Sequence, residues 1–175
     1  MGTMADQLAN LHNTVYSPDG RITAELRSDQ VTSLTFQEGA FRQYTERELE
    51  RQLSRLALRM WTSYQRSYDE AVAAATGQAV EPSKESWDAN RRRFRKAQAE
   101  TVSTGMSPRR LVYFECTGMV SWQIVIRDGA LTELDEAQLV AEVFGAYRAM
   151  NLDYRIKMQD LRTEHYGDGF APRRT

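Results

Sequence analysis

"RQYTERELERQLSRLALRM", residues 42–60, and "TELDEAQLVAEVFGAYRAM", residues 132–150, open in the same way. Thr45 and Glu48 have the spacing of a capping box, in which the hydroxyl accepts from an early helical amide and the carboxylate reaches back; Asp135 and Gln138 repeat that spacing with a different acid. Leu49, Leu53, Leu56, Met60 and Tyr64 then mark one stripe at helical spacing, and Leu139, Val143, Ala146, Met150 and Tyr154 mark its counterpart. The pattern predicts a helix over about 46–75, stopped by Gly77 and Pro82, and a second over about 136–165.

Outward from these helices the likeness continues. Sliding the chain by 90 positions aligns residues 17–68 with 107–158 without a gap, and nine of the 52 pairs are identical. Ordinary composition would give roughly three. The apolar positions correspond too. "GRITAELR" places Ile22, Ala24 and Leu26 on one face of a strand where the second copy has Val112, Phe114 and Cys116. A second strand points Leu34 and Phe36 inward in one copy, and Trp122, Ile124 and Ile126 in the other. The strands are expected to pair as antiparallel neighbours through "SDQ" and "TGM". One mismatch stands out, since Val31 aligns with Ser121. Residues 13–17 and 103–106 are candidates for a further strand in each copy.

Between the copies, "SKESWDANRRRFRKAQAETV", residues 83–102, contains no helix breaker and is expected to form a third long helix capped by Ser83 or Ser86. Trp87, Phe94, Ala97 and Thr101 offer it a narrow apolar seam suited to another helix. Helices of this length exceed what a two- or three-stranded sheet covers, so their distal halves project or pack on one another. The fold class is α+β, with a first repeat over 1–75, a linker over 76–83, a second repeat with its preceding basic helix over 84–166, and a flexible tail over 167–175. A single copy is a thin sheet with one helix, a poor core alone; two copies can bury those faces as an intrachain pseudo-dimer with long projecting helices.

Composition is consistent with such a protein. The 175 residues are 41% hydrophobic and 27% charged, with a net charge of -1 and one cysteine. No intrachain disulfide is possible, no apolar run approaches a membrane span, and "MGTMADQLAN" lacks the regions of a signal peptide. A cytoplasmic location and no membrane partner are expected.

Each copy resembles the YbaB/EbfC family of small bacterial proteins, through "SPDGRITAELRSDQVTSLTFQEGAFRQYTERELERQL" and "SPRRLVYFECTGMVSWQIVIRDGALTELDEAQLVAEV". The resemblance implies a tweezers-like scaffold with helices leaving a central sheet, sequence-tolerant DNA binding and association with the nucleoid. Related domains resemble parts of accessory proteins of actinobacterial type VII secretion. The chain departs from the family's single-copy plan: fusion of two copies replaces a homodimer by an internal one and lets the halves diverge.

Charge is segregated along the chain. From 84 to 110 there are eight basic and three acidic residues, a balance of +5, which leaves -6 elsewhere. Arg91, Arg92, Arg93, Arg95, Lys96, Arg109 and Arg110 are the candidate nucleic-acid-binding residues, touching phosphates without reading bases. The plainer reading of this cluster is a solvated helix face. Arg173 and Arg174 on the tail are read as solubilising, and Trp61, Tyr64, Tyr68, Tyr147 and Tyr154 as packing residues at helical spacing.

No enzyme is expected. His12 and His165 are far apart in sequence and read as surface residues, and Cys116 lies on an inward strand face. No metal-ligand spacing, phosphate loop or nucleophile motif appears, so no catalytic residue, metal or cofactor is assigned. The alternative to DNA binding is a module that holds a protein partner, for instance in type VII secretion, on projecting helices and the adaptable surface that seven Met residues would give. An internal pseudo-dimer implies a monomer, while the long helices allow a homodimer. The charged flank "TERELERQLSR", residues 45–55, is expected to face solvent or a partner, and the apolar "EAQLVAEVFGAY", residues 136–147, to face the core.

Overall fold

A computed structural model describes residues 11–28, 30–77 and 88–167. The class is α+β, with two three-stranded antiparallel sheets and long helices. Two compact units form: one from the residues up to 77 together with 128–136, the other from 88–127 and 137–167. Among the described residues no helix is long and apolar enough to cross a membrane.

In the first unit β1 (His12–Tyr16), β2 (Ile22–Arg27) and β3 (Gln30–Phe36) pair in sequence order. The helix α1 (Glu46–Thr76) follows a single turn at Phe41–Gln43. Its start is the capping box expected from Thr45 and Glu48: Thr45 Oγ1 accepts from the Glu48 amide, and the Thr45 amide donates to Glu48 at 2.9 Å. Its end is Gly77, which adopts φ 68° and donates to the Ala73 carbonyl, a left-handed cap that costs glycine no Cβ clash. Leu49, Leu53, Leu56 and Met60 are buried along one stripe as expected, each Leu contributing about 2 kcal/mol by leaving water. Val15, Ile22, Ala24, Leu26 and Phe36 supply the sheet side of this core.

The charged flank of α1 is engaged within its own unit. Glu46 accepts from the amides of Gly129 (3.0 Å) and Leu131 (3.3 Å), at the start of the short helix α3 (Ala130–Glu133), and Arg47 pairs with Asp128 at 2.6 Å. Arg47 also pairs with Glu50. The flank faces solvent, as expected, at Arg47, Glu48, Arg51 and Arg55, and Glu46 in addition satisfies the free amides of another helix start.

In the second unit α2 (Ala89–Glu100) leads into β4 (Val102–Met106), β5 (Val112–Thr117) and β6 (Ser121–Ile126), and α4 (Glu136–Tyr166) follows α3. The third helix is shorter than the 83–102 expected. Among the described residues it starts after Asp88, whose carboxylate accepts from the amides of Asn90 (2.8 Å) and Arg91 (3.3 Å); the proposed caps Ser83 and Ser86 lie outside the described residues, with Trp87. Leu139, Val143, Ala146 and Met150 are buried on α4. Gly105 of β4 meets this helix so closely that a Cβ would stand 2.2 Å from the Ala146 carbonyl oxygen. Lys157 ties the same strand down, donating to the Val102 carbonyl at 2.8 Å and to Asp153 at 2.7 Å.

The repeat holds in the structure at the same offset of 90. β1 and β4, β2 and β5, and α1 and α4 begin and end at corresponding residues, and Gly167 repeats the left-handed conformation of Gly77. Ser17 and Ser107 do one job: the hydroxyl of each accepts the first amide of the next strand, Ile22 and Val112, at 3.0 Å. The Val31 mismatch is resolved by register. Arg27 pairs with Gln30, a loop one residue shorter than that between Thr117 and Ser121, and β3 recovers the residue as a bulge, with Leu26 opposite Val31 but Glu25 opposite Ser33. Val31 therefore occupies the place of Trp122, which faces Cys116. An extra residue in a strand replaces one in a turn, so the sequences align without a gap.

Candidate nucleic-acid interface

The basic helix α2 is attached to the distal half of α4 by one narrow seam. Asn90 donates to the His165 carbonyl at 2.6 Å, the Phe94 ring stands edge-on to His165 (5.8 Å) and Tyr166 (5.5 Å), and Gln98 donates to the Tyr154 hydroxyl at 3.3 Å. Rising numbers on α2 meet falling numbers on α4, so the two helices run antiparallel. Phe94 thus does the work expected of it. At the other end of α2, Gly118 in the β5–β6 turn lies against Ala99, where a Cβ would stand 2.5 Å from its carbonyl oxygen.

The seam decides where the charges point. Arg92 and Lys96 lie two positions either side of Phe94, hence on the far side of the helix axis, with Arg93 and Arg95 flanking them, while Arg91, three positions before Phe94, borders the seam. Arg91, Arg92, Arg93 and Lys96 are exposed and Arg95 is half-buried. Lys96 pairs with Glu100 at 3.9 Å, one turn on and equally exposed, a contact worth little in water. Among the described residues Arg91, Arg93 and Arg95 make no ion pair.

Arg109 and Arg110 belong to a different place. They occupy the β4–β5 turn, where the Arg109 amide donates to the buried carboxylate of Glu142 at 3.2 Å. Glu142 and His165 are 23 positions apart on one helix, about 34 Å along its axis. The seven candidate residues therefore form two sites, five on α2 and two on the turn. Arg173 and Arg174 lie outside the described residues.

Arg110 also departs from its counterpart. It adopts φ 57°, where the first repeat has Gly20 at φ 74°, and donates its amide to the Ser107 carbonyl as Gly20 does to Ser17. A non-glycine residue is strained there by roughly 1–2 kcal/mol. Asp19 and Tyr44, which hydrogen-bond each other in the first repeat, are replaced by Arg109 and the buried Leu134. The turn at 17–21 carries one acid and one base, and its counterpart at 107–111 carries two arginines and no acid.

The remaining chemistry is quiet. Cys116 is buried with its Sγ 3.8 Å from Met119 Sδ, and burial pushes the thiol up to about 11, with the Met119 backbone amide pulling slightly the other way. A thiol so placed is protonated at neutral pH and a poor nucleophile. No group of three or more potential metal-ligating side chains occurs among the described residues. His12 is exposed near Glu25 at 3.8 Å, whereas His165 is half-buried in the α2 seam, which corrects its reading as a surface residue. Trp61, Tyr64 and Tyr68 form a ladder on α1 with ring centroids 6.1 and 6.2 Å apart. Glu142 escaped sequence reasoning; an acid inside the apolar run "EAQLVAEVFGAY" was the only signal available.

Comparison of the chain with protein-family models, with curated proteins and with solved structures finds no match.

Proposed function

We propose that this protein is a tandem YbaB/EbfC-like, non-enzymatic DNA-binding protein, nucleoid-associated and tolerant of sequence, whose two repeats act as an intrachain pseudo-dimer. The observation that carries the reading is the presentation of α2: Asn90, Phe94 and Gln98 hold one face on α4, and the side chains of Arg91, Arg92, Arg93 and Lys96 are exposed. Flexible cations on a held helix suit phosphates at variable spacing and carry no base code. Net charge of -1 over the whole chain confines any phosphate contact to such a local strip.

The rival reading, a module for a protein partner, leaned on an adaptable Met surface. Of the five described Met residues, Met60, Met119, Met150 and Met158 are buried and only Met106 is exposed. That support is thin.

Fluorescence anisotropy with a random-sequence duplex, repeated across salt, tests the proposal. Affinity should fall with a log–log slope of roughly -0.9 for each phosphate contacted. Replacing Arg91, Arg92, Arg93 and Arg95 together by Ala should abolish most binding while leaving thermal unfolding nearly unchanged. No binding at low salt, or binding indifferent to the four substitutions, rejects it.

A further inference from the structure

On the side of α4 away from buried Met150, Leu152 is 61% exposed and Ile156 53% exposed. With Ala149 they follow a 3,4 spacing, the a, d, a positions of a heptad seam. The corresponding residues of the first repeat are polar, Thr62 for Leu152 and Arg66 for Ile156, so the face belongs to α4 alone. We propose that α4 pairs in parallel and in register with α4 of a second copy of this chain, making a closed two-fold dimer through this seam.

Two features select that occupant. Ile at a with Leu at d is the combination that favours two parallel strands. The flanks carry opposite charge, Arg148 and Arg155 at g positions and Asp153 and Asp160 at e positions. In a parallel pair each g residue faces the e residue five positions on in the other copy, which sets Arg148 against Asp153 and Arg155 against Asp160. An antiparallel pair sets Arg against Arg and Asp against Asp. A face that pairs with itself about a two-fold axis is used up in the dimer and does not propagate into a filament.

Light scattering of the full chain should give twice the 20.1 kDa of one copy. Leu152→Asp combined with Ile156→Asp, both at exposed positions, should return it to 20.1 kDa with its thermal midpoint retained. Leu152→Cys should be joined to itself by a short bis-maleimide, because register places identical residues opposite; native Cys116 is buried and stays silent. Arg155→Asp and Asp160→Arg should each weaken association, and the two together restore it. A chain that remains at 20.1 kDa at every concentration assigns the face to some other protein and overturns the proposal, as does a dimer that survives Leu152→Asp with Ile156→Asp. A dimer in which Leu152→Cys does not crosslink overturns the parallel register.

Discussion

Gly105 and Met150 touch backbone to backbone: a Cβ on Gly105 would stand 2.3 Å from the Met150 amide nitrogen. The first repeat has Val15 at the same place, buried yet accommodated, so the sheet and helix of the second unit approach more closely than their counterparts. Gly105→Ala forces strand and helix apart against backbone atoms that no rotamer change can move. Chemical unfolding should show a loss of about 2–3 kcal/mol, at the upper end of overpacking costs.

Arg110 holds a conformation that glycine adopts freely. Arg110→Gly should therefore raise stability by about 0.5–1 kcal/mol in urea unfolding, the release of left-handed strain being partly offset by the entropy glycine gains in the unfolded chain. Gly20→Arg in the first repeat should lower it by a similar amount.

Asp19 and Tyr44 predict the pH response of the first unit. Burial works against ionised Asp19, but hydrogen bonds from Ser17, Tyr44 and the Arg21 amide outweigh it and hold the carboxyl below its ordinary 3.8. Its stabilisation is present above the unfolded value and is lost as pH falls through the folded one. The Tyr44 phenol moves the other way, raised above 10.0 by burial and then by the bond it donates to Asp19, so its contribution is present below 10.0 and lost as pH rises beyond. Tyr44→Phe should soften both limbs of a plot of urea midpoint against pH. Unchanged limbs would detach the pair from stability.

The two basic sites are too far apart to couple. If both contact DNA, Ala substitutions on α2 and at Arg109 with Arg110 should add in free energy within about 0.5 kcal/mol, and each should reduce the salt slope separately. Titrations of the two sets and of their combination check this.

Much of the architecture was legible because it rests on local chemistry. Thr45 with Glu48 announced a helix start, and the Leu49 to Tyr64 stripe with its counterpart from Leu139 to Tyr154 announced two long helices of one design. The sequence hid what depends on distant partners. A bulge in β3 and a loop residue before Ser121 look identical in an ungapped comparison, so the equivalence of Val31 with Trp122 needed the register. Glu46 was visible only as a helix-start acid, because its Gly129 and Leu131 partners lie more than 80 positions away. The candidate site was half legible: the arginines of α2 form the cluster their spacing suggested, but Arg109 and Arg110 join them only along the chain.

The engagement of Glu46 with Gly129 and Leu131 also bears on how such a chain can change over time. The first unit is completed by residues 128–136, supplied from beyond the second sheet. Severing the polypeptide between 77 and 88 would leave the N-terminal fragment without the segment that completes it, and the C-terminal fragment with an unclaimed one. The duplication can drift in sequence, as Asp19 and Arg109 have, but its halves are interlaced along the chain and are inherited as one piece.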